Sequence, residues 1–172
     1  MTAVLVALAL AAASAVQPPA ATRRATLVAM EKIFDGSLER TGGDDPLMVL
    51  GGTCGIYLEG YGAVFTAQVS LIASPALSPF RQTMSPQDVS RVHQRKLRQV
   101  PLLKQAMREM LLHSARTLDT VPPNEQIVVG VSLLYYSWED TEGLPSQVVM
   151  RAQRSRLLQK TGADGAIQTE EY

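Results

Sequence analysis

One long segment in the middle of the chain constrains the fold more than any other. Ser85, Pro86 and Asp88 form a helix start signal, because serine suits the N-cap, proline the first helical position and an acidic side chain the first turn. The apolar residues that follow recur at helical spacing on one face, namely Val89, Val92, Val100, Leu103, Met107, Met110, Leu111 and Leu118. Pro101 removes a hydrogen-bond donor within this pattern, but the preserved phase predicts one kinked helix over 86–119.

A β-hairpin is predicted before this helix. Apolar and polar residues alternate over 65–71, which is typical of a strand with one buried face. Gly60 and Gly62 separate this strand from a shorter apolar stretch at 55–58, and glycine permits the positive φ that a tight reversal needs.

A second β-hairpin is predicted after the helix. Residues 126–136 are rich in Val, Leu, Ile and Tyr on both alternations, which indicates a central strand covered on at least one face. Residues 138–145 form its turn and 147–152 its return strand.

A short amphipathic helix is predicted near the amino end. Its apolar residues are Leu27, Met30, Ile33 and Phe34. Thr22 is its expected N-cap and Gly36 its expected C-cap. Residues 41–46 follow as a loop, because they hold two glycines, two aspartates and a proline.

These elements predict an α+β fold with a β-β-α-β-β core, in which an antiparallel sheet of two hairpins packs against both helices. The expected contact joins one strand face and one helix face, made up of Phe65, Ala67, Val69 and Leu71 on the strand and Val100, Leu103, Met107 and Met110 on the helix. We expect a single domain over 16–160 and a disordered polar tail over 161–172.

The beginning of the chain indicates export. Residues 1–16 are an uncharged run rich in Ala, Val and Leu, with a small-x-small pattern at 13–15. We therefore predict a signal peptide that is cleaved after Ala15, and a periplasmic or extracellular location. An uncleaved membrane anchor is the alternative, but a span needs about 20 apolar residues and the Gln-Pro-Pro at 17–19 ends the run early. Cleavage would leave no stable membrane span.

Charge and cysteine content limit the partners and the chemistry. The chain balances 16 basic against 16 acidic side chains, so bulk attraction to nucleic acid or an anionic membrane is not expected. One cysteine cannot form an internal disulfide. No cofactor is expected, because we find neither a phosphate-binding glycine loop nor zinc-ligand spacing.

Cys54 is a candidate nucleophile for a cysteine hydrolase, which would also need a histidine to form the thiolate. His93 and His113 are the only histidines, and at ~1.5 Å rise per residue their Cα atoms lie about 30 Å apart on one helix. At most one could reach the thiol. A packing role for Cys54 is the ordinary alternative to a cysteine hydrolase.

The polar surface of the long helix is basic. Seven basic side chains (Arg91, Arg95, Lys96, Arg98, Lys104, Arg108 and Arg116) face two acidic ones (Asp88 and Glu109). Arg91, Arg95 and Arg98 are therefore candidate binding residues for an anionic ligand or a nucleic acid. The alternative is an ordinary solvated face.

The turn at 138–145 carries Glu139, Asp140 and Glu142, which could bind a divalent cation through oxygen ligands. It lacks the spacing and central glycine of a calcium loop, so we expect a charged hairpin tip and no metal site.

Most aromatic residues fall in the two hairpins, where core packing is their usual role. Tyr61 is an exception, because a ring between two glycines at a hairpin tip has little to pack against. Tyr61 and Trp138 complete the candidate binding residues.

Residues 57–65, with the sequence YLEGYGAVF, resemble a segment of uncharacterised bacterial exported proteins. The resemblance covers this hairpin and implies export, but no activity. Together these features predict an exported, non-catalytic binding or assembly domain whose partner is another envelope or secreted protein. A small hydrolase using Cys54, and anionic-ligand or nucleic-acid binding through the helix at 86–119, are the alternatives.

Overall fold

The computed structural model describes residues 20–75, 83–159 and 164–172. The helices are α1 (Ala20–Arg40), α2 (Pro86–Thr117) and α3 (Arg154–Leu157), and a 3₁₀ turn covers Asp164–Ala166. The strands are β1 (Met48–Leu58), β2 (Gly62–Ser70), β3 (Gln126–Leu133), β4 (Gln147–Gln153) and β5 (Gln168–Glu171). The α+β class predicted from the sequence is confirmed. The signal peptide predicted over 1–15 lies outside the described residues.

Within the described ranges the strands form one five-stranded sheet in the order β1-β2-β3-β4-β5. The predicted hairpins are the antiparallel pairs β1/β2 and β3/β4. They meet through a parallel pair, β2/β3, so the sheet is mixed and not antiparallel throughout as the sequence predicted. The parallel pair arises because α2 returns the chain to the end of the sheet at which β2 began, so β3 runs in the same direction as β2.

The tail predicted as disordered over 161–172 contains ordered structure. Its last strand, β5, pairs antiparallel with β4 from Val148 to Arg151. Lys104 and Arg151 form ion pairs with Glu171 and Glu170. Backbone pairing and charge contacts therefore hold a segment that has little apolar content of its own.

The long helix begins as predicted, with the Ser85 side chain accepting a hydrogen bond from the Asp88 N–H at 3.1 Å. It continues through Pro101 as one helix, and its apolar stripe is buried apart from Val89, which is half-buried. The predicted strand face and helix face both belong to the hydrophobic core. Most contacts of α2 are with β3 and β4, while α1 covers β1, so β2 lies beneath the junction of the two helices.

Helix α1 is longer than predicted. It begins before Thr22 and runs through Gly36 to Arg40, so neither residue is a cap. The extension brings Leu38 into the core one turn beyond Phe34, and burial of that side chain favours continuing the helix. Ile33, which the sequence placed on the apolar face, is 44% exposed.

Side chains of α1 occupy the free edge of β1. Asp35 accepts hydrogen bonds from the Thr53 N–H at 2.9 Å and the Thr53 hydroxyl at 2.6 Å. Glu31 accepts the Gly55 N–H at 2.8 Å, and Arg24 donates to the Gly55 carbonyl at 2.7 Å. Side chains thereby take the place of a neighbouring strand, which blocks edge-to-edge pairing.

The opposite face of the sheet carries no helix among the residues described. A bulge in β1 between Leu50 and Cys54 contains Gly51 and Gly52, whose φ angles are 80° and 82°. After the bulge, Thr53 and Gly55 face α1 and Cys54 faces the uncovered side. None of the helices in the described ranges is long and apolar enough to cross a membrane.

Candidate functional site

The candidate binding residues lie at two ends of the sheet. Tyr61 directly precedes β2, at the amino ends of the parallel strands β2 and β3. Trp138 follows the carboxyl end of β3, in the loop whose Glu139 and Asp140 contact the first half of α2. Strands of this length separate the two ends by roughly 25 Å, so Tyr61 does not share a site with Trp138, Arg91, Arg95 and Arg98.

At the carboxyl ends of β2 and β3, the first half of α2 makes three polar contacts with loops. They are Arg95 with Asp45, Lys96 with Glu139, and His93 with Asp140. We refer to these six residues as the strand-end cluster. Crevices at the carboxyl ends of parallel strands are common ligand sites, so each contact bears on function.

Arg95 forms an ion pair with Asp45. Its guanidinium donates to both carboxylate oxygens, through Nε at 2.9 Å and through Nη2. This hydrogen bonding lowers the pKa of Asp45 and raises that of Arg95. Gln99 donates its amide to the Asp45 carbonyl at 2.9 Å. Arg95 therefore attaches the loop after α1 to α2.

Lys96 and Glu139 form a buried ion pair. Their side chains are 1% and 0% exposed, and Lys96 Nζ lies 4.8 Å from the centroid of the Tyr135 ring. The Tyr135 hydroxyl donates to the Pro145 carbonyl at 2.7 Å, and burial raises its pKa. The pair anchors the β3–β4 loop to α2. It corrects two expectations, because Lys96 is not on the solvated basic face and Glu139 is not at a charged tip.

His93 contacts the same loop. Its Nδ1 lies 3.0 Å from the Asp140 carbonyl oxygen and 4.0 Å from the Asp140 carboxylate. Asp140 in turn accepts the Glu142 N–H at 3.0 Å. In the part of the chain that is described, no group of three or more His, Cys, Asp or Glu residues is placed to hold a metal ion.

The other candidate binding residues at the carboxyl ends of β2 and β3 are more accessible to solvent than the buried Lys96–Glu139 pair. Arg91 is exposed and pairs with Asp88 one turn earlier at 3.3 Å. Arg98 is exposed. Trp138 is half-buried and stacks on Tyr136 with ring centroids 6.0 Å apart. A cavity of about 150 Å³ lies beside Tyr136, between the ends of β2 and β3.

Tyr61 forms the tip of the first hairpin. Its ring is 43% exposed, and its backbone bonds to Leu58 and Gln126. The neighbouring Tyr57 is instead packed, with its hydroxyl donating to Glu125 at 2.8 Å and its ring under Arg23 at 4.2 Å. Burial and that hydrogen bond raise the pKa of Tyr57.

Cys54 lies exposed on the uncovered face of the sheet. It borders a shallow depression of about 280 Å³ with Thr66, Gln68 and Ser132. His93 and His113 belong to α2, which packs on the opposite face. The sheet therefore separates the thiol from both histidines.

Sequence reasoning missed a groove between α1 and α2, with a volume of about 360 Å³. The residues that line it include Ile33 and Arg40 from α1, and Glu109, Leu112, His113 and Arg116 from α2. Within the described residues, the side chains of Arg40, His113 and Arg116 have no hydrogen bond or ion pair. The sequence showed Arg116 as basic, but not which helix lies beside it.

Comparisons with protein family models, curated proteins and solved structures found no match to this chain.

Proposed function

We propose that the chain is a non-catalytic binding or assembly domain that acts outside the cytoplasm, in the periplasm or as a secreted protein. The observation that carries this proposal is the position of Cys54 relative to the histidines. A cysteine hydrolase needs a base within hydrogen-bond reach of the thiol, directly or through one water. Cys54 and both histidines lie on opposite faces of the sheet.

The strand-end cluster supports the same proposal. Catalytic acids and bases must be free to exchange protons with a substrate. Arg95, Lys96 and His93 each contact a loop that α2 holds in place, and the Lys96–Glu139 pair is inaccessible to solvent. Such contacts hold the loops against α2, which supports a structural role for the cluster.

The partner we propose is another envelope or secreted protein, or a small ligand from that compartment. The balance of 16 basic and 16 acidic side chains does not favour nucleic acid. Among the described residues, exposed surfaces suited to contact include the Tyr61 hairpin tip, the uncovered sheet face and the α1/α2 groove.

The test compares the wild type with Cys54→Ser and Cys54→Ala, each expressed in and purified from the native host. Hydrolysis of p-nitrophenyl butyrate, S-phenyl thioacetate and casein is followed, and acid-quenched intact mass shows any acyl adduct. We expect all three proteins to turn over these substrates equally, at the buffer rate. Turnover that requires Cys54 in a correctly folded protein would establish the hydrolase instead.

A further inference from the structure

We infer that the groove between α1 and α2 binds an anionic amphiphile, a molecule with a carboxylate head and an apolar chain. This inference rests on the proposed binding function and assigns its ligand class. The groove is built from side chains of two helices that belong to one packed core, so its shape does not depend on a loop.

Charge complementarity indicates the head group. Arg40 on α1 and Arg116 on α2 are both exposed and both line the groove, and His113 lines it one turn before Arg116. The acidic lining residue, Glu109, accepts a hydrogen bond from Gln105 at 3.0 Å and pairs with neither arginine in the described structure. Two guanidinium groups with no counter-ion among the described residues suit a carboxylate, which each can bind through two parallel hydrogen bonds.

The floor indicates the apolar chain. Ile33 is 44% exposed and Leu112 is half-buried, and both line the groove. An exposed isoleucine beside unpaired arginines gives one site both an apolar and a cationic part. The volume of about 360 Å³ lies at the lower end of the range for small-ligand sites, so a single alkyl chain suits it better than a folded partner.

The strongest competing occupant is an acidic helix of a partner protein. A helix docking between two helices needs a longer apolar contact than this groove offers, because its anchors recur over at least two turns. The accessible apolar lining of this groove is instead limited to Ile33 from α1 and Leu112 from α2. The amphiphile is therefore the occupant that suits the groove, and an acidic peptide serves as the competing probe in the test.

The experiment measures binding by isothermal titration calorimetry with probes below their critical micelle concentrations. Dodecanoate is the main probe, acetate tests the head group alone, and dodecyl maltoside and dodecyltrimethylammonium carry neutral and cationic heads. We expect dodecanoate to bind, and the other three to bind at least about tenfold more weakly.

The variant Arg40→Gln/Arg116→Gln should bind dodecanoate at least about tenfold more weakly than the wild type, since each arginine contributes a charge-assisted hydrogen bond. Lys32→Gln/Arg156→Gln is the matched control, because it removes the same charge from exposed helical positions outside the groove. It should bind like the wild type. All four positions are exposed, so both variants are expected to fold, which circular dichroism verifies.

Several outcomes would overturn the inference. They are no binding of dodecanoate to the wild type, equal dodecanoate affinity of Arg40→Gln/Arg116→Gln and its control variant, and neutral or cationic probes that bind the wild type as tightly as dodecanoate. Binding of an acidic amphipathic peptide through Arg40 and Arg116, without dodecanoate binding, would assign the groove to a protein partner. None of these results bears on Cys54, so failure of this inference is distinguishable from failure of the non-catalytic proposal.

Discussion

Glu139→Gln should destabilise the protein strongly, because it leaves the Lys96 ammonium buried without its counter-charge. Both side chains are almost fully removed from solvent, at 1% and 0% exposure, so water cannot replace the lost partner. Removing one member of a buried pair typically lowers the free energy of unfolding by about 3–5 kcal/mol. With a urea dependence of ~2 kcal/mol per molar for a domain of this size, the unfolding midpoint should fall by roughly 2 M.

Urea unfolding followed by circular dichroism measures this shift. Arg91→Gln is the control, because it breaks an exposed ion pair with Asp88 on the same helix, and exposed pairs contribute about 0–1 kcal/mol. The double variant Lys96→Met/Glu139→Leu should recover most of the lost stability, since no charge remains buried. If Glu139→Gln and Arg91→Gln lower the midpoint equally, the reasoning about a buried pair is refuted.

Three further predictions concern the core, acid stability and export. Leu103→Ala should lower the free energy of unfolding by about 2–5 kcal/mol, and Gln68→Ala on the uncovered face by well under ~1 kcal/mol, in urea melts; equal small losses would contradict the assigned helix face. Arg95 lowers the pKa of Asp45, so the ion pair stabilises the fold above the unfolded pKa of about 3.9, and this stabilisation is lost as pH falls through the folded pKa. Arg95→Gln should therefore lower the urea midpoint at neutral pH and lower it less in strong acid. An equal effect at both pH values would refute this linkage. The intact mass of the exported protein should lack residues 1–15, and a mass that retains them would refute the signal-peptide prediction.

Local signals in the sequence predicted the elements well. Ser85 and Asp88 lie where their capping chemistry places them, and Gly60 and Gly62 adopt positive φ at the predicted reversal. These features depend on a few neighbouring residues, which a sequence displays directly. The extension of α1 through Gly36 depended instead on burial of Leu38 against other elements, a tertiary effect that outweighs the local cost of a glycine.

The candidate site was less predictable because it depends on which elements become neighbours. Lys96 was predicted on the polar surface because of its charge, although it follows Val92 and precedes Val100 by one turn each and so lies on the apolar face of α2. That spacing indicated burial, but not its partner, Glu139, which is 43 residues away. The α1/α2 groove required the two helices to pack side by side, and no local pattern specifies that arrangement.

The central claim is that this chain works by binding and not through Cys54. The most direct measurement is mass-spectrometric identification of the small molecules that co-purify from the native host with the wild type, Cys54→Ser and Arg40→Gln/Arg116→Gln. We predict that the wild type and Cys54→Ser carry the same anionic amphiphile and that the arginine variant carries much less. The claim would be contradicted if Cys54→Ser alone lost the bound molecule, or if the wild type carried an acyl group on Cys54.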